Sequence, residues 1–80
     1  MTNKEKYINA FVEGLEMDAE KVIGVEYQGV PEWDSVGHMS LVACIEDAFE
    51  IMMDTDDIVD FSSYDKGIEI LKKYDVVIDE

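Results

Sequence analysis

Residues 34–51 of this chain read DSVGHMSLVACIEDAFEI and predict its second helix. Asp34 is a favourable N-cap, and its carboxylate also lies at the positive end of the helix dipole. The helix is therefore predicted to run from Ser35 to about Glu50. This start places the Ser35 hydroxyl in an exposed first turn, where a modifying enzyme has access to it.

This helix has apolar residues on two sides when it is drawn as a helical wheel. One arc is the predicted core face and comprises His38, Leu41, Val42, Ile45 and Phe49. The other arc is apolar with polar neighbours and comprises Val36, Met39, Ala43, Ser40, Glu46 and Asp47. A surface helix of a monomer needs one apolar stripe, so the second stripe indicates a docking surface for a partner. The alternative, which the sequence leaves open, is that the preceding loop covers this side.

The rest of the chain predicts a small all-α bundle. Helical patterns and caps cover the segments 3–16, 35–50, 54–61 and 64–74. Thr2 and Glu5 form a predicted capping box at the first start, residues 54–57 offer caps for the third, and Ser62 and Ser63 offer caps for the fourth. Residues 17–34 contain glycine and proline and lack helical periodicity, so they read as a long loop between helices 1 and 2. The prediction is three main helices plus one short helix. Residues 1–80 form a single domain because the chain is too short for a second core.

The predicted loop is unusually apolar, and its apolar residues are Val22, Ile23, Val25, Tyr27, Val30 and Trp33. We therefore expect it to pack across the helices. Trp33, directly before the helix cap, is expected to fix the entry into the second helix as a hydrophobic staple. Two alternatives stay open: a short strand pair within the loop, and contact between Trp33 and a group attached to Ser35.

The chain is strongly acidic, with 20 Asp and Glu residues, 6 Lys and Arg residues and a formal net charge of −14. Nucleic acid and anionic membranes are poor partners for such a field, whereas a basic protein surface is a good one. Solubility alone is an equally open explanation of the charge. Because there is no apolar stretch of about 18 residues and no signal-peptide pattern, we expect a cytoplasmic monomer without a membrane span.

Three further features have ordinary structural explanations. His38 lies close to Ser35, but no third group orients it, so a Ser35–His38 hydrolase is a weak alternative to a partly buried histidine. The aspartates of residues 54–60 lack the glycine and glutamate of an EF-hand loop, which favours helix caps and a solvated acidic face. Cys44, the single cysteine, cannot form a disulfide within the chain and reads as a structural thiol.

The segment that begins with Asp34-Ser35-Val36 resembles the acyl carrier protein family, which has Asp-Ser-Leu at the start of its second helix. Further similar features are Leu41-Val42, Ile45-Glu46, Phe49, the acidic run before Ile58, Ser62-Ser63 and Ile68. The first helix and the loop agree with the family in pattern and length. The resemblance implies an acyl-carrier-like bundle.

The resemblance also implies a function. Ser35, next to Asp34, would carry 4'-phosphopantetheine, whose thiol holds acyl or aminoacyl groups as thioesters. The implied partners are a phosphopantetheinyl transferase and loading or transferring enzymes with basic docking patches. The docking residues that it implies are Val36, Met39, Ala43, Glu46 and Asp47. The chain would then be a carrier and not an enzyme. A cargo, if it is long and apolar, would enter between the helices beside Val42, Ile45 and Phe49.

Gly37 and His38 stand where housekeeping members of the family have an acidic and a small polar residue. The string from Trp33 to Met39 is similar to that of specialised discrete carriers. A specialised pathway is therefore expected instead of bulk fatty-acid synthesis: secondary biosynthesis, of the fatty-acid or polyketide kind, or synthesis of a surface polysaccharide. The alternative from another class is a non-carrier acidic helical adaptor that binds one basic protein partner.

Overall fold

A computed structural model describes residues 2–78; Met1, Asp79 and Glu80, the ends of the predicted single domain, lie outside the described residues. The elements are α1 (Asn3–Leu15), a 3₁₀ turn (Ala19–Lys21), α2 (Ser35–Phe49), α3 (Thr55–Asp60) and α4 (Tyr64–Lys72). The described part of the chain is an all-α bundle with one short helix, so the predicted fold class is confirmed. Within residues 2–78, no helix has the length and apolar content needed to cross a membrane.

Side-chain caps start the longer helices where the sequence predicted. Thr2 Oγ1 accepts a hydrogen bond from the Glu5 amide at 3.1 Å, and Glu5 Oε1 accepts one from the Thr2 amide at 3.0 Å. Asp34 Oδ1 accepts from the Gly37 amide at 2.8 Å, and Ser63 caps α4 in the same manner. Each cap satisfies an amide that the first helical turn leaves unpaired, which is why these starts can be read from the sequence.

The helix ends differ slightly from the predicted ends. α1 and α2 stop one residue early because Glu16 and Glu50 take the left-handed conformation, with φ of 53° and 54°. α3 ends at Asp60 instead of Phe61, and α4 ends at Lys72 instead of Tyr74. A non-glycine residue at positive φ has no clear signature in sequence, so these ends were harder to predict than the starts.

Aromatic side chains dominate the core. The fully buried rings are Tyr7, Phe11, Trp33, Phe61 and Tyr64. On α2 the predicted core face is buried at Leu41, Val42 and Ile45 and partly buried at His38 and Phe49. The rings meet edge-on or tilted, as at Phe11 and Trp33, whose centroids lie 5.4 Å apart with an interplanar angle of 85°. Such pairs add about 0.5–1.5 kcal/mol beyond their buried area, which matters in a chain with a thin core.

The connection between α1 and α2 packs across the bundle, as its apolar residues predicted. Its buried members are Met17, Val22, Val25 and Trp33, and its partly buried members are Tyr27 and Val30. Ile23 is the exception, because it is 61% exposed. Its neighbour Val22 takes the inward position, and the tight turn directs the next side chain outward.

One antiparallel bridge, between Glu26 and Ser63, joins the connection to the start of α4. Its hydrogen bonds include one from the Tyr27 amide to the Ser62 carbonyl at 2.8 Å. Residues 2–78 contain no strand, so a strand pair within residues 17–34 is not formed. The bridge instead fixes Tyr27 beside the segment that links α3 and α4.

A buried carboxylate joins α3 to the end of α4. Asp57 is 6% exposed and accepts hydrogen bonds from the Tyr74 hydroxyl at 2.6 Å and from Lys73 Nζ at 2.9 Å. The Tyr74 oxygen also accepts a hydrogen bond from the Asp54 amide at 2.9 Å. The hydrogen bond from Tyr74, and then that from Lys73, holds the pKa of Asp57 below its ordinary value. The prediction of a solvated acidic face is therefore wrong for Asp57.

This network predicts an acid sensitivity that depends on Asp57. Its pKa is lower in the folded than in the unfolded chain. It therefore contributes stability above the unfolded carboxyl pKa of about 3.9, and this contribution is lost as pH falls through the folded pKa. We expect Asp57→Asn to be less stable than wild type above about pH 5 and to approach wild type as pH falls through the folded pKa of Asp57. Urea unfolding across this pH range gives both curves.

The matched control is Asp56→Asn. It removes an exposed carboxylate from the same short helix without touching Tyr74 or Lys73, so it should keep the pH dependence of wild type. The interpretation is wrong if Asp57→Asn and Asp56→Asn show the same dependence of unfolding free energy on pH.

Candidate functional site

Ser35 is the first residue of α2, and its side chain is exposed, as the sequence predicted. Its hydroxyl oxygen lies 3.3 Å from the Tyr27 hydroxyl, and either group can donate the hydrogen bond. The carboxylate of the preceding residue, Asp34, is engaged as the N-cap of the helix. The first turn of α2 therefore presents one accessible hydroxyl in a fixed place.

Gly37 allows the preceding loop to press against this first turn. A Cβ atom at residue 37 would lie 2.2 Å from the Glu32 carbonyl oxygen and 3.0 Å from Leu15 Cδ2. The backbone oxygen cannot move aside as a flexible side chain can, so any larger residue would displace the loop. The glycine at this place in the sequence thus has a packing reason.

The Ser35 hydroxyl opens onto an apolar groove of about 420 Å³. The groove is lined by Tyr27, Ser35, His38, Met39, Ile58, Val59, Phe61 and Ser62, from the loop, α2, α3 and the segment after α3. Any group attached to the Ser35 oxygen has direct access to it. The sequence did not indicate the groove, because one of its walls is the short helix α3, whose position depends on non-local contacts.

His38 joins the loop, α2 and α3 through both ring nitrogens. Trp33 Nε1 donates a hydrogen bond to His38 Nδ1 at 3.0 Å, and His38 Nε2 lies 2.7 Å from the Ile58 carbonyl oxygen. An indole N–H is only a donor, so Nδ1 must accept, and Nε2–H donates the hydrogen bond to the Ile58 carbonyl oxygen. The geometry therefore selects the neutral tautomer with the proton on Nε2.

The same contacts decide between the interpretations of Trp33 and His38. Trp33 precedes the N-cap and stacks on His38 in the second turn of α2, with centroids 6.1 Å apart and an interplanar angle of 18°. This is the geometry of the predicted staple. Trp33 is fully buried, which removes it from direct contact with a group on Ser35. Ser35 and His38 do not form a nucleophile–base pair, because both ring nitrogens bond elsewhere.

The second apolar side of α2 faces solvent and is not covered by the loop. Val36 is 80% exposed and Met39 is 59% exposed, and Ala43 and Asp47 are exposed as well. Glu46 differs because it is partly buried, and its Oε2 accepts a hydrogen bond from the Met53 amide at 2.8 Å. That carboxylate already holds the segment that follows α2.

Among the exposed apolar side chains that sequence reasoning missed are Met52 and Val59. Met52 is 87% exposed and Val59 is 74% exposed, and Val59 also lines the groove beside Ser35. Met52 follows α2 and Val59 lies in the six-residue helix α3, and such short segments hold too few residues for their pattern to predict which side chains face solvent. The route expected for a long cargo is filled, since Val42 is 3% exposed and Ile45 is 0% exposed.

Cys44 is a half-buried free thiol beside a shallow groove between α1 and α2. Burial raises the pKa of this thiol, and the nearby carboxylates of Glu13 and Asp47 raise it further. A thiol held protonated in this way is a poor nucleophile, which fits a structural role. In the part of the chain that the structure describes, no group of three or more His, Cys, Asp or Glu side chains could hold a metal ion.

No protein-family model, curated protein or solved structure matches this chain. The resemblance to acyl carrier proteins therefore depends on the residues of the motif itself. Because one fold can serve many functions, the geometry around Ser35, and not the fold, distinguishes between the candidate functions.

The His38 hydrogen bonds predict a specific stability loss. His38→Ala would leave the buried Trp33 N–H and the Ile58 carbonyl without their partner, and we expect unfolding to become easier by about 1–3 kcal/mol. His38→Gln should recover part of the loss, because an amide can accept from Trp33 and donate to Ile58. Urea unfolding followed by Trp33 fluorescence measures these differences.

Met39→Ala is the control for this comparison, since it truncates the next residue of α2 at an exposed position and should change stability by less than about 0.5 kcal/mol. Equal stability of His38→Ala and Met39→Ala would show that the histidine bonds contribute nothing.

Proposed function

We propose that this chain is an acyl carrier protein that holds acyl or aminoacyl groups as thioesters on a 4'-phosphopantetheine arm attached to Ser35. The observation that carries the proposal is the exposed Ser35 hydroxyl, at the first residue of α2 and on the edge of an apolar groove. The Asp34-Ser35-Val36 motif supports it through its resemblance to the family. The chain would act in the cytoplasm, in a specialised biosynthetic pathway, without catalytic residues of its own.

The surroundings of Ser35 fit such an arm. The hydroxyl is exposed to an approaching transferase, and the groove of about 420 Å³ beside it offers space for a flexible group. The Tyr27 hydroxyl, 3.3 Å from Ser35 Oγ, is a donor of the kind that bonds phosphate oxygens. When bound, the arm supplies a thiol that forms thioesters with carboxylic acids.

In the attachment step, the Ser35 oxygen attacks the phosphorus atom of coenzyme A that bears the pantetheine. A new oxygen–phosphorus bond forms, the pyrophosphate bond breaks and adenosine 3',5'-bisphosphate leaves. The hydroxyl proton passes to the transferase, because both nitrogens of His38, the single histidine, are held by other groups. The transferase also has to provide the metal ion, since a serine hydroxyl is a weak nucleophile unaided.

The exposed side of α2 supports docking of partner enzymes. Val36, Met39 and Ala43 offer apolar contact, and Asp47 adds negative charge beside them. Glu46 would contribute less, because its carboxylate holds the Met53 amide. The net charge of −14 attracts a basic surface from a distance. Exposed ion pairs are individually weak, so a monomeric carrier can bind and leave each enzyme quickly.

Modification of Ser35 is the direct test. Incubation with a phosphopantetheinyl transferase and coenzyme A should raise the intact mass by one phosphopantetheine, and Ser35→Ala should abolish the gain. Ser40→Ala, an exposed serine of the same helix, should be modified as well as wild type. If wild type stays unmodified with several transferases and binds a basic partner equally well as Ser35→Ala, the acidic adaptor is the better interpretation.

Charge reversal on α2 tests the docking surface. Asp47→Lys should lower kcat/KM of the transferase by about two- to five-fold, which corresponds to the ~0.4–1 kcal/mol expected for an exposed ion pair. The loss should shrink as salt is added, because the Debye length shortens. Glu69→Lys makes the same change at an exposed position of α4 and should have little effect. Equal losses in the two variants would assign the effect to net charge instead of to this surface.

A further inference from the structure

We infer that the cargo of this carrier is a compact acyl group, one ring or a few carbons in size, which lies in the groove between α2 and α3. This inference rests on the proposed function and names the class of acyl group. The groove is a different place from the one expected for a long apolar cargo, which is between the helices beside Val42, Ile45 and Phe49. Three features of the groove carry it: its position beside Ser35, its aromatic walls and the closure of its inner end.

The position of the groove links it to Ser35. Ser35 is itself one of the lining residues, so a group tethered to it lies next to this surface. Val59 and Met39, which also line the groove, are 74% and 59% exposed. A small apolar cargo that folds back would cover these side chains and remove apolar area from water.

The walls of the groove fit a flat group. The His38 ring lies 5.5 Å from the Tyr27 ring and 6.2 Å from the Phe61 ring, at interplanar angles of 64° and 66°. The His38 ring is thus tilted against both neighbouring rings, so the surface offers ring faces and ring edges to a group that lies on it. An aromatic or otherwise planar acyl group finds edge-to-face and offset contacts on such a surface.

The inner end of the groove is closed. Phe61 lines the groove although it is fully buried, so it forms the floor. Behind it, Trp33 lies 6.1 Å from Phe61, centroid to centroid, and is also fully buried. A chain of fatty-acid length could reach the core from here by separating His38 from Ile58 and Trp33, which would break both hydrogen bonds of the histidine. A compact group stays outside this barrier.

A series of acyl groups tests the inference in the intact protein. A permissive transferase with acetyl-, benzoyl- or dodecanoyl-coenzyme A would load Ser35, and intact mass would verify each product. NMR spectra should show benzoyl-dependent shifts at Tyr27, His38 and Val59. The methyl resonances of Ile45 and Leu71 should keep the chemical shifts of the acetyl form in both the benzoyl form and the dodecanoyl form. Dodecanoyl shifts at Ile45 and Leu71, or identical acetyl and benzoyl spectra at the groove, would overturn the inference.

A pair of variants makes the location specific. Val59→Asp places a charge in the groove wall, whereas Met52→Asp makes the same kind of change at a residue that is 87% exposed and outside the lining. Both positions are exposed, so both variants should fold. We expect Val59→Asp to abolish the benzoyl shifts at Tyr27 and His38 and Met52→Asp to retain them. Retention of the shifts in both variants would place the cargo elsewhere.

Failure of the proposed function is recognised separately, as the absence of any mass gain on Ser35. The groove can then be probed without a transferase, in Ser35→Cys protein with Cys44→Ala to leave one reactive thiol. N-phenylmaleimide should shift Tyr27, His38 and Val59, and N-dodecylmaleimide should leave Ile45 and Leu71 unshifted. Any other pattern would count against the groove as a site for compact groups, whether or not Ser35 accepts phosphopantetheine.

Discussion

The pair of hydrogen bonds made by His38 is the constraint on which the candidate site depends. Through them the loop that carries Trp33, the helix that carries Ser35 and the short helix α3 are held in one arrangement. α3 has six residues, and an isolated helix of that length is not stable in water. Its place is therefore set by three anchors: the bond from His38, the Asp57 carboxylate and the buried ring of Phe61. The groove beside Ser35 exists because these anchors hold its outer wall.

Trp33, Gly37 and His38, which flank Ser35 in sequence, depend on one another for their packing and hydrogen bonds. A buried indole needs an acceptor for its N–H, since leaving it unpaired costs free energy. His38 provides that acceptor one helical turn beyond Ser35, and its Nε2–H donates a hydrogen bond to the Ile58 carbonyl of α3. Gly37 then lets the loop approach closely enough for Trp33 to lie under the helix. Substitutions at these three positions should have coupled effects on stability, because the residues share contacts.

The sequence predicted what is decided locally and missed what is decided by distant partners. The caps at Thr2, Asp34 and Ser63 and the two sides of α2 follow from residues a few positions apart, so the helices and the exposure of Ser35 could be read directly. Asp57 was expected in solvent because nothing near it shows that Tyr74 and Lys73 return to it. The groove was missed for the same reason, since its walls come from segments that are brought together only by the fold.

The site divides into a rigid part and an accessible part, and Ser35 lies on the boundary. Behind it, Trp33, His38 and Phe61 form a packed aromatic layer with its polar atoms paired, which fixes the direction of the first turn of α2. In front of it are exposed apolar side chains of the flexible or branched kind, Met39 and Val59, which no segment of residues 2–78 covers. A carrier, as proposed, has to present one hydroxyl in the same way to successive enzymes while it binds none of them tightly. Rigid support on one side and weak, adaptable contacts on the other satisfy both requirements, because the first reduces the ordering cost at each encounter and the second keeps dissociation fast.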